Sequence, residues 1–138
     1  MKKEFSTLDV RRVLGIRRER LQKWVGAGFI KPSEPSQGQG RAATYSVSDL
    51  CRMRIFERLV GAGLSRSQAG FFLSLIEDER LRACDVFYVR RDSKNVLTGA
   101  AIPNAHDLAK AIRDVGNWSE LFVVNLAQIR QEVSSLLA

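Results

Sequence analysis

The chain has 138 residues, 45% hydrophobic and 27% charged, with 22 Lys/Arg against 15 Asp/Glu, a net charge of +7 and a pI near 10. This is the composition of an ordinary globular chain of one domain or two small ones, and its positive excess suggests a polyanionic partner. It excludes a bilayer-spanning apolar run, a secretory signal after Lys2 and Lys3, and a disulfide framework or zinc motif, since Cys51 and Cys84 lie 33 positions apart; the cytoplasm is the expected compartment.

The charge is unevenly spread. Residues 1–41 carry a net +6, residues 42–80 a net of zero and residues 81–138 a net +1. Within the basic segment, Ser6 or Thr7 is a plausible N-cap with Asp9 in the first turn. Val10, Val13 and Leu14 give a short apolar face, and Gly15 stops the helix. Arg11 and Arg12 are left outside. A second helix runs from Arg17 to about Ala27, with Leu21, Trp24 and Val25 on one face. Glu19 and Lys23 lie opposite, flanked by Arg20 and Gln22, with Arg17 and Arg18 at the N-terminal lip. Two short helices joined through a glycine turn, the second one basic, form a helix-turn-helix pattern.

Gly26 and Gly28 end the second helix, and Phe29-Ile30 should be extended and tucked against the core. Residues 31–44, with two prolines, two glycines, Lys31 and Arg41, read as a loop. Bounded by Phe29-Ile30 and Thr44-Tyr45-Ser46-Val47, it forms either a small β-hairpin, the wing of a winged helix, or a disordered linker. Ser46 and Asp49 have capping-box spacing. The helix after them turns Leu50, Met53, Phe56, Leu59 and Val60 inward, and Gly61 and Gly63 end it. Ser65 caps a further helix with Ala69, Phe72, Leu73 and Ile76 on its core face, and residues 77–80 read as a charged, solvated boundary.

Beyond residue 81 the pattern changes. Val86–Val89 and Val96–Thr98 read as strands around the turn 92–95. Pro103-Asn104 opens a helix with Leu108, Ala111, Ile112 and Val115 on its apolar face, ended by Gly116. Leu121–Val124 reads as a buried strand. The last helix carries Leu126, Ile129, Val133, Leu136 and Leu137 on one stripe, either an oligomer interface or the cover of this unit's own sheet. The expected fold class is α+β. An N-terminal winged helix-turn-helix, mainly α with a small β-hairpin wing (residues 1–80), precedes a small α+β unit of ββαβα order (residues 81–138).

Residues 5–76 resemble the DNA-binding domain of the MerR family of winged-helix transcription regulators. The resemblance rests on Phe5-Ser6-Thr7, Leu14-Gly15-Ile16, Leu21 with Trp24, Gly28-Phe29-Ile30-Lys31-Pro32, Gly40-Arg41 with Tyr45, Ser46–Leu50 and Gly63-Leu64-Ser65. Three features depart from the family. Arg17 replaces the usual Ser/Thr cap, two extra residues separate Arg41 from Tyr45, and the long dimerisation helix is missing. Effector sensing and promoter untwisting therefore do not carry over.

The resemblance and the charge pattern imply a sequence-specific, double-stranded DNA-binding regulator, a homodimer, nucleoid-associated in the cytoplasm. Residues 81–138 would be its dimerisation or effector unit, open to a small-molecule or protein effector. The second helix would enter the major groove and wing 31–45 would sit on the flanking backbone. Arg20, Gln22 and Lys23 are the base-edge candidates. Arg17 and Arg18 are candidates for phosphates, Arg41 for a phosphate or the minor groove, Lys23 for a phosphate as well as a base edge, and Arg11 or Arg12 for the backbone. Glu19 either accepts from a cytosine amine or favours the helix start. Leu21, Trp24, Phe29 and Tyr45 are core anchors. No cofactor, metal site, catalytic residue or membrane partner is expected. Cys51 and Cys84 read as small buried hydrophobes and His106 as a solvated residue. The alternative is a phage-type DNA-architecture protein, an excisionase or packaging recognition subunit on the same winged helix. A weaker one is an interaction module whose basic helix is only a solvated face.

Overall fold

A computed structural model describes residues 4–36, 42–113 and 117–138. Helix α1 (Thr7–Leu14) begins at Ser6, whose hydroxyl accepts from the Asp9 amide while the Asp9 carboxylate accepts from the Ser6 amide. This reciprocal cap satisfies two of the amides a helix start leaves unpaired. Gly15 closes the helix at φ 73°, a left-handed conformation that favours glycine. Helix α2 (Arg18–Gly26) follows after three residues and buries Leu21 and Trp24.

Phe29 and Ile30 are not extended. Their amides both donate to the Trp24 carbonyl, which would otherwise be an orphan at the end of α2, and this folds the step into a bend. Ile30 is buried, and the Phe29 ring stacks on Phe56 at 5.4 Å. Gly70 of the fourth helix gives Phe29 its room, for a Cβ there would stand 2.5 Å from the ring. Residues 31–45 are tied down at both ends. Glu34 and Thr44 exchange two backbone hydrogen bonds, as do Phe5 and Tyr45. Asp49, only 6% exposed, accepts from the amide and hydroxyl of Ser33 as well as from the Ser46 amide. Gly40 and Arg41 lie outside the described residues.

Helix α3 (Val47–Gly61) starts at Val47, so the expected extension of the strand to that residue is lost to the Ser46–Asp49 cap. It is buried on more than the expected face, since Cys51 and Ile55 join Leu50, Met53, Phe56 and Leu59 in the core, while Val60 is half-buried. Helix α4 (Arg66–Ser74) begins at Ser65 with a Gln68 capping box and buries Ala69, Phe72 and Leu73. Residues 77–80 are not a bare boundary. Glu77 leads into α5 (Asp78–Ala83), which is pinned by buried Leu81.

The second half contributes β1 (Val86–Asp92), β2 (Leu97–Ile102), α6 (Ala105–Ala111), β3 (Trp118–Asn125) and α7 (Leu126–Leu137). The three strands form one antiparallel sheet in the order β2-β1-β3, with Tyr88 opposite both Ala100 and Val123. The molecule is thus a mixture of helices and a small three-stranded antiparallel sheet, with a helix-turn-helix at its N-terminal end. Strand β3 is an edge, which corrects the expectation of a buried strand. Of Leu121–Val124 only Val124 is buried, and Val123 is 49% exposed. Leu108, Ala111 and Ile112 on and just after α6 are half-buried, whereas Val115 and Gly116 fall outside the described residues.

The stripe on α7 is consumed within the chain. Leu126, Ile129 and Val133 are at most 1% exposed and join the same hydrophobic core as Leu50 and Phe56, with Leu137 packed partly against it. Helix α7 lies against α3, α1 and β1, so the stripe covers the helical half as well as the sheet. Only Leu136 of the stripe stays exposed, so of the two readings of the stripe this burial supports a cover within the chain. The core runs without a break across residues 80 and 81.

Ile129→Ala should therefore lower unfolding stability by about 2–5 kcal/mol, the usual cost of removing a buried Ile side chain. A urea titration at several protein concentrations checks this. The midpoint should fall by the same amount at each concentration, whereas a shift that grows with dilution would indicate an interface.

Candidate nucleic-acid interface

The buried positions of α2 decide what its other side shows. With Leu21 and Trp24 turned to the core, Glu19, Gln22 and Lys23 stand outward and exposed, with Arg18 and Arg20 on the flanks. Trp24 meets Phe56 edge-to-face at 4.9 Å, which fixes the rotation of α2 about its axis. The helix start carries no side-chain cap, because Arg17 offers no acceptor. A helix start without a side-chain cap is a favourable place for an anion.

Two hollows flank α2. The larger, about 920 Å³, lies between α1, α2 and the 31–45 loop; its lining includes Arg11, Arg18 and Gln22, with Leu8, Val25 and Tyr45 among the apolar walls. The second, about 600 Å³, is lined by Arg17, Arg20, Lys23 and Arg66 together with Gly15, Glu19 and Trp24. Of the sequence candidates, Arg11, Arg18 and Gln22 thus gather on one side, and Arg17, Arg20 and Lys23 on the other. Arg12 is exposed on α1, 3.9 Å from Asp9, and lines neither hollow. Arg41 lies outside the described residues.

Arg20 is held rather than free. Its guanidinium carbon sits 4.8 Å from the centre of the Trp24 ring, and Nη1 is 3.6 Å from Glu57 Oε2. Arg66, the first residue of α4, is a basic group that periodicity alone missed. Its signal was the Gly-Leu-Ser turn just before it, but the approach of that turn to α2 is a tertiary fact. Leu8, 62% exposed in the larger hollow, was missed for the same reason.

The anchors Leu21, Trp24 and Tyr45 are buried, and Phe29 is half-buried. Burial raises the Tyr45 phenol above its usual value, a hydrogen bond with Thr7 opposes this, and the Asp49 carboxylate adds to it. Burial likewise pushes the Cys51 thiol up to about 11, against the pull of Arg130 and Arg52. His106 is exposed in the first turn of α6. Among the described residues, no group of three or more His, Cys, Asp or Glu is placed to hold a metal, and no helix is long and apolar enough to cross a membrane.

A helix-turn-helix whose second helix buries its apolar face and turns polar donors outward between basic hollows is the construction of a nucleic-acid-binding module. The comparison with protein families agrees. The model described as MerR HTH family regulatory protein matches residues 5–71, just under half of the chain, ending within α4. Over residues 5–71 the chain is thus similar to MerR helix-turn-helix regulators. No curated protein matches the chain at a significant level.

The burial of both cysteines and the raised Cys51 pKa give a direct expectation. At pH 8 neither thiol of the native protein should react with iodoacetamide faster than the protein unfolds. Mass spectrometry of a labelling time course checks this, and rapid alkylation of the folded chain would contradict the placement.

Proposed function

We propose that this protein is a sequence-specific, double-stranded DNA-binding transcription regulator without enzymatic activity. In this reading α2 enters the major groove and residues 31–45 act as a wing on the flanking backbone, so that the N-terminal half is a winged helix. The observation that carries the reading is the exposed Glu19-Gln22-Lys23 face of α2, set between two basic hollows inside the segment that matches the family.

Gln22 and Lys23 are the groups for base edges, an amide suiting adenine and an ammonium guanine. Arg20 joins them from the flank, its guanidinium kept beside Glu57 and the Trp24 ring. Arg17, Arg18 and Arg66 hold phosphates on either side, and the uncapped amides of α2 take another. Arg11 and Arg12 on α1 and Arg41 in the wing complete the backbone contacts. Leu8 is placed for a sugar or a thymine methyl. The regulator acts as a homodimer on an inverted repeat, joined through a surface other than buried Leu126, Ile129 and Val133. Residues 81–138 are the unit open to an effector.

Selection from a pool of random duplexes, run beside an Arg20→Ala, Lys23→Ala variant, tests the reading. An inverted repeat should be enriched, and the variant should lose preference at the positions those side chains read by about 5- to 150-fold per contact. Arg66→Ala should instead weaken all sequences alike and reduce the salt slope by about one. Enrichment of phased direct repeats would favour an architectural role in excision or packaging. No enrichment at low salt by the folded protein would contradict DNA recognition.

A further inference from the structure

Arg54 lies on the inner side of α3, and its side chain is only 19% exposed. A guanidinium so covered needs several acceptors to offset the loss of water. Arg54 finds three, each from a different part of the chain. Nη1 donates to the Leu14 carbonyl at 3.1 Å and to Glu57 Oε1 at 2.9 Å, and Nε donates to Glu132 Oε1 at 3.2 Å. The first is the last carbonyl of α1, beside the turn that leads to α2. Glu132 belongs to α7, far along the chain and outside the family match.

The other oxygens extend the chain of contacts. Glu57 Oε2 faces Arg20 Nη1 at 3.6 Å, and Glu132 Oε2 accepts from Arg58 at 3.3 Å. Charges alternate along Glu132, Arg54, Glu57 and Arg20, from the last helix across α3 to the flank of α2. Arg20 is the terminal member, caught between the Glu57 carboxylate and the Trp24 ring. Three cations (Arg20, Arg54, Arg58) thus share two carboxylates. Loss of one carboxylate redistributes the other.

From this geometry we infer that Glu132 of α7, acting through Arg54 and Glu57, is a positioning residue for Arg20 and so tunes which base α2 prefers. The inference rests on the DNA-binding reading above and deepens it by assigning part of the specificity to a helix outside the matched segment. Without the Glu132 charge, Arg54 Nε keeps at most a neutral, weaker acceptor, and Arg54 draws Glu57 toward itself. Arg20 is then released from its fixed orientation. The preference it contributes is weakened, while the phosphate contacts of Arg17, Arg18 and Arg66 are untouched.

The test uses the full chain and the duplex enriched by selection. Relative affinities for single-base variants are measured for the parent, Glu132→Gln, Glu57→Gln, Arg20→Ala and the Glu132→Gln, Arg20→Ala pair. Glu132→Gln should reduce discrimination about two- to tenfold at the same base position that Arg20→Ala affects, and at no other. Glu57→Gln should act at that position too. The double variant should discriminate there no worse than Arg20→Ala alone. In the free protein, the Arg20 Nε–Hε resonance should shift on Glu132→Gln, a readout that needs no DNA. Equal losses at all positions, full additivity with Arg20→Ala, or an unmoved Arg20 resonance would overturn the inference with DNA recognition intact. A parent protein with no base preference would instead remove the underlying reading.

Discussion

The structure depends on the burial of α3. Its apolar residues are spread too widely around the helix for one neighbour to cover, since Leu50, Cys51, Met53, Ile55, Phe56 and Leu59 are all in the core. A helix buried on nearly all sides must be wrapped. Helices α1, α4 and α7 and strand β3 all lie against it, and α2 reaches it through Trp24 on Phe56. Each fully buried aliphatic side chain contributes about 1.5–3 kcal/mol, so this wrapping outweighs the local preferences of the short helices around it. The orientation of α2 follows. Its aromatic contact fixes which face is hidden, and the polar face that remains is the candidate reading surface.

The same constraint makes the C-terminal half part of the helix-turn-helix rather than an appendage. Leu126, Ile129 and Val133 close the side of α3 that α1 and α4 leave open. Arg130 then secures α7 to the segment before the sheet, donating to the Leu81 and Cys84 carbonyls and to Asp85. Positive charge is concentrated in the first 41 residues, while the rest of the chain is nearly balanced and spends its charges on internal pairs such as Arg54–Glu132, Arg52–Asp78 and Arg91–Glu120. Charge available to a polyanion and charge used for architecture are thereby separated along the sequence.

What was legible in the sequence is what is decided locally. Ser46 with Asp49, Ser65, and Ser6 as one of two candidates beside Asp9 marked three helix starts, because a cap is a contact between residues three apart. Gly15 marked the turn because few other residues adopt its positive φ. The faces of α2 followed from helical period, and with them the exposure of Arg17, Arg18, Gln22 and Lys23. What was not legible depends on partners distant in the chain. The run 121–124 has the composition of a buried strand, yet the order β2-β1-β3 leaves it at an edge. The α7 stripe has the pattern of an interface, and only the position of α3 shows that it is already covered. Arg66 and Glu57 join the candidate site through tertiary approach alone. The tie that holds Arg20 crosses from residue 132 to residue 20, a separation no window along the chain detects.

The central claim is that the exposed side of the helix-turn-helix, set by the burial of α3, is the surface that meets DNA. Mapping backbone amide shifts of the full chain on addition of its selected duplex tests this most directly. The account predicts perturbations along α1 and α2, at the start of α4 and in the 31–45 loop, with the inner positions of the sheet and α7 little changed. Perturbations centred on the outer face of the sheet, with α2 unmoved, would contradict it.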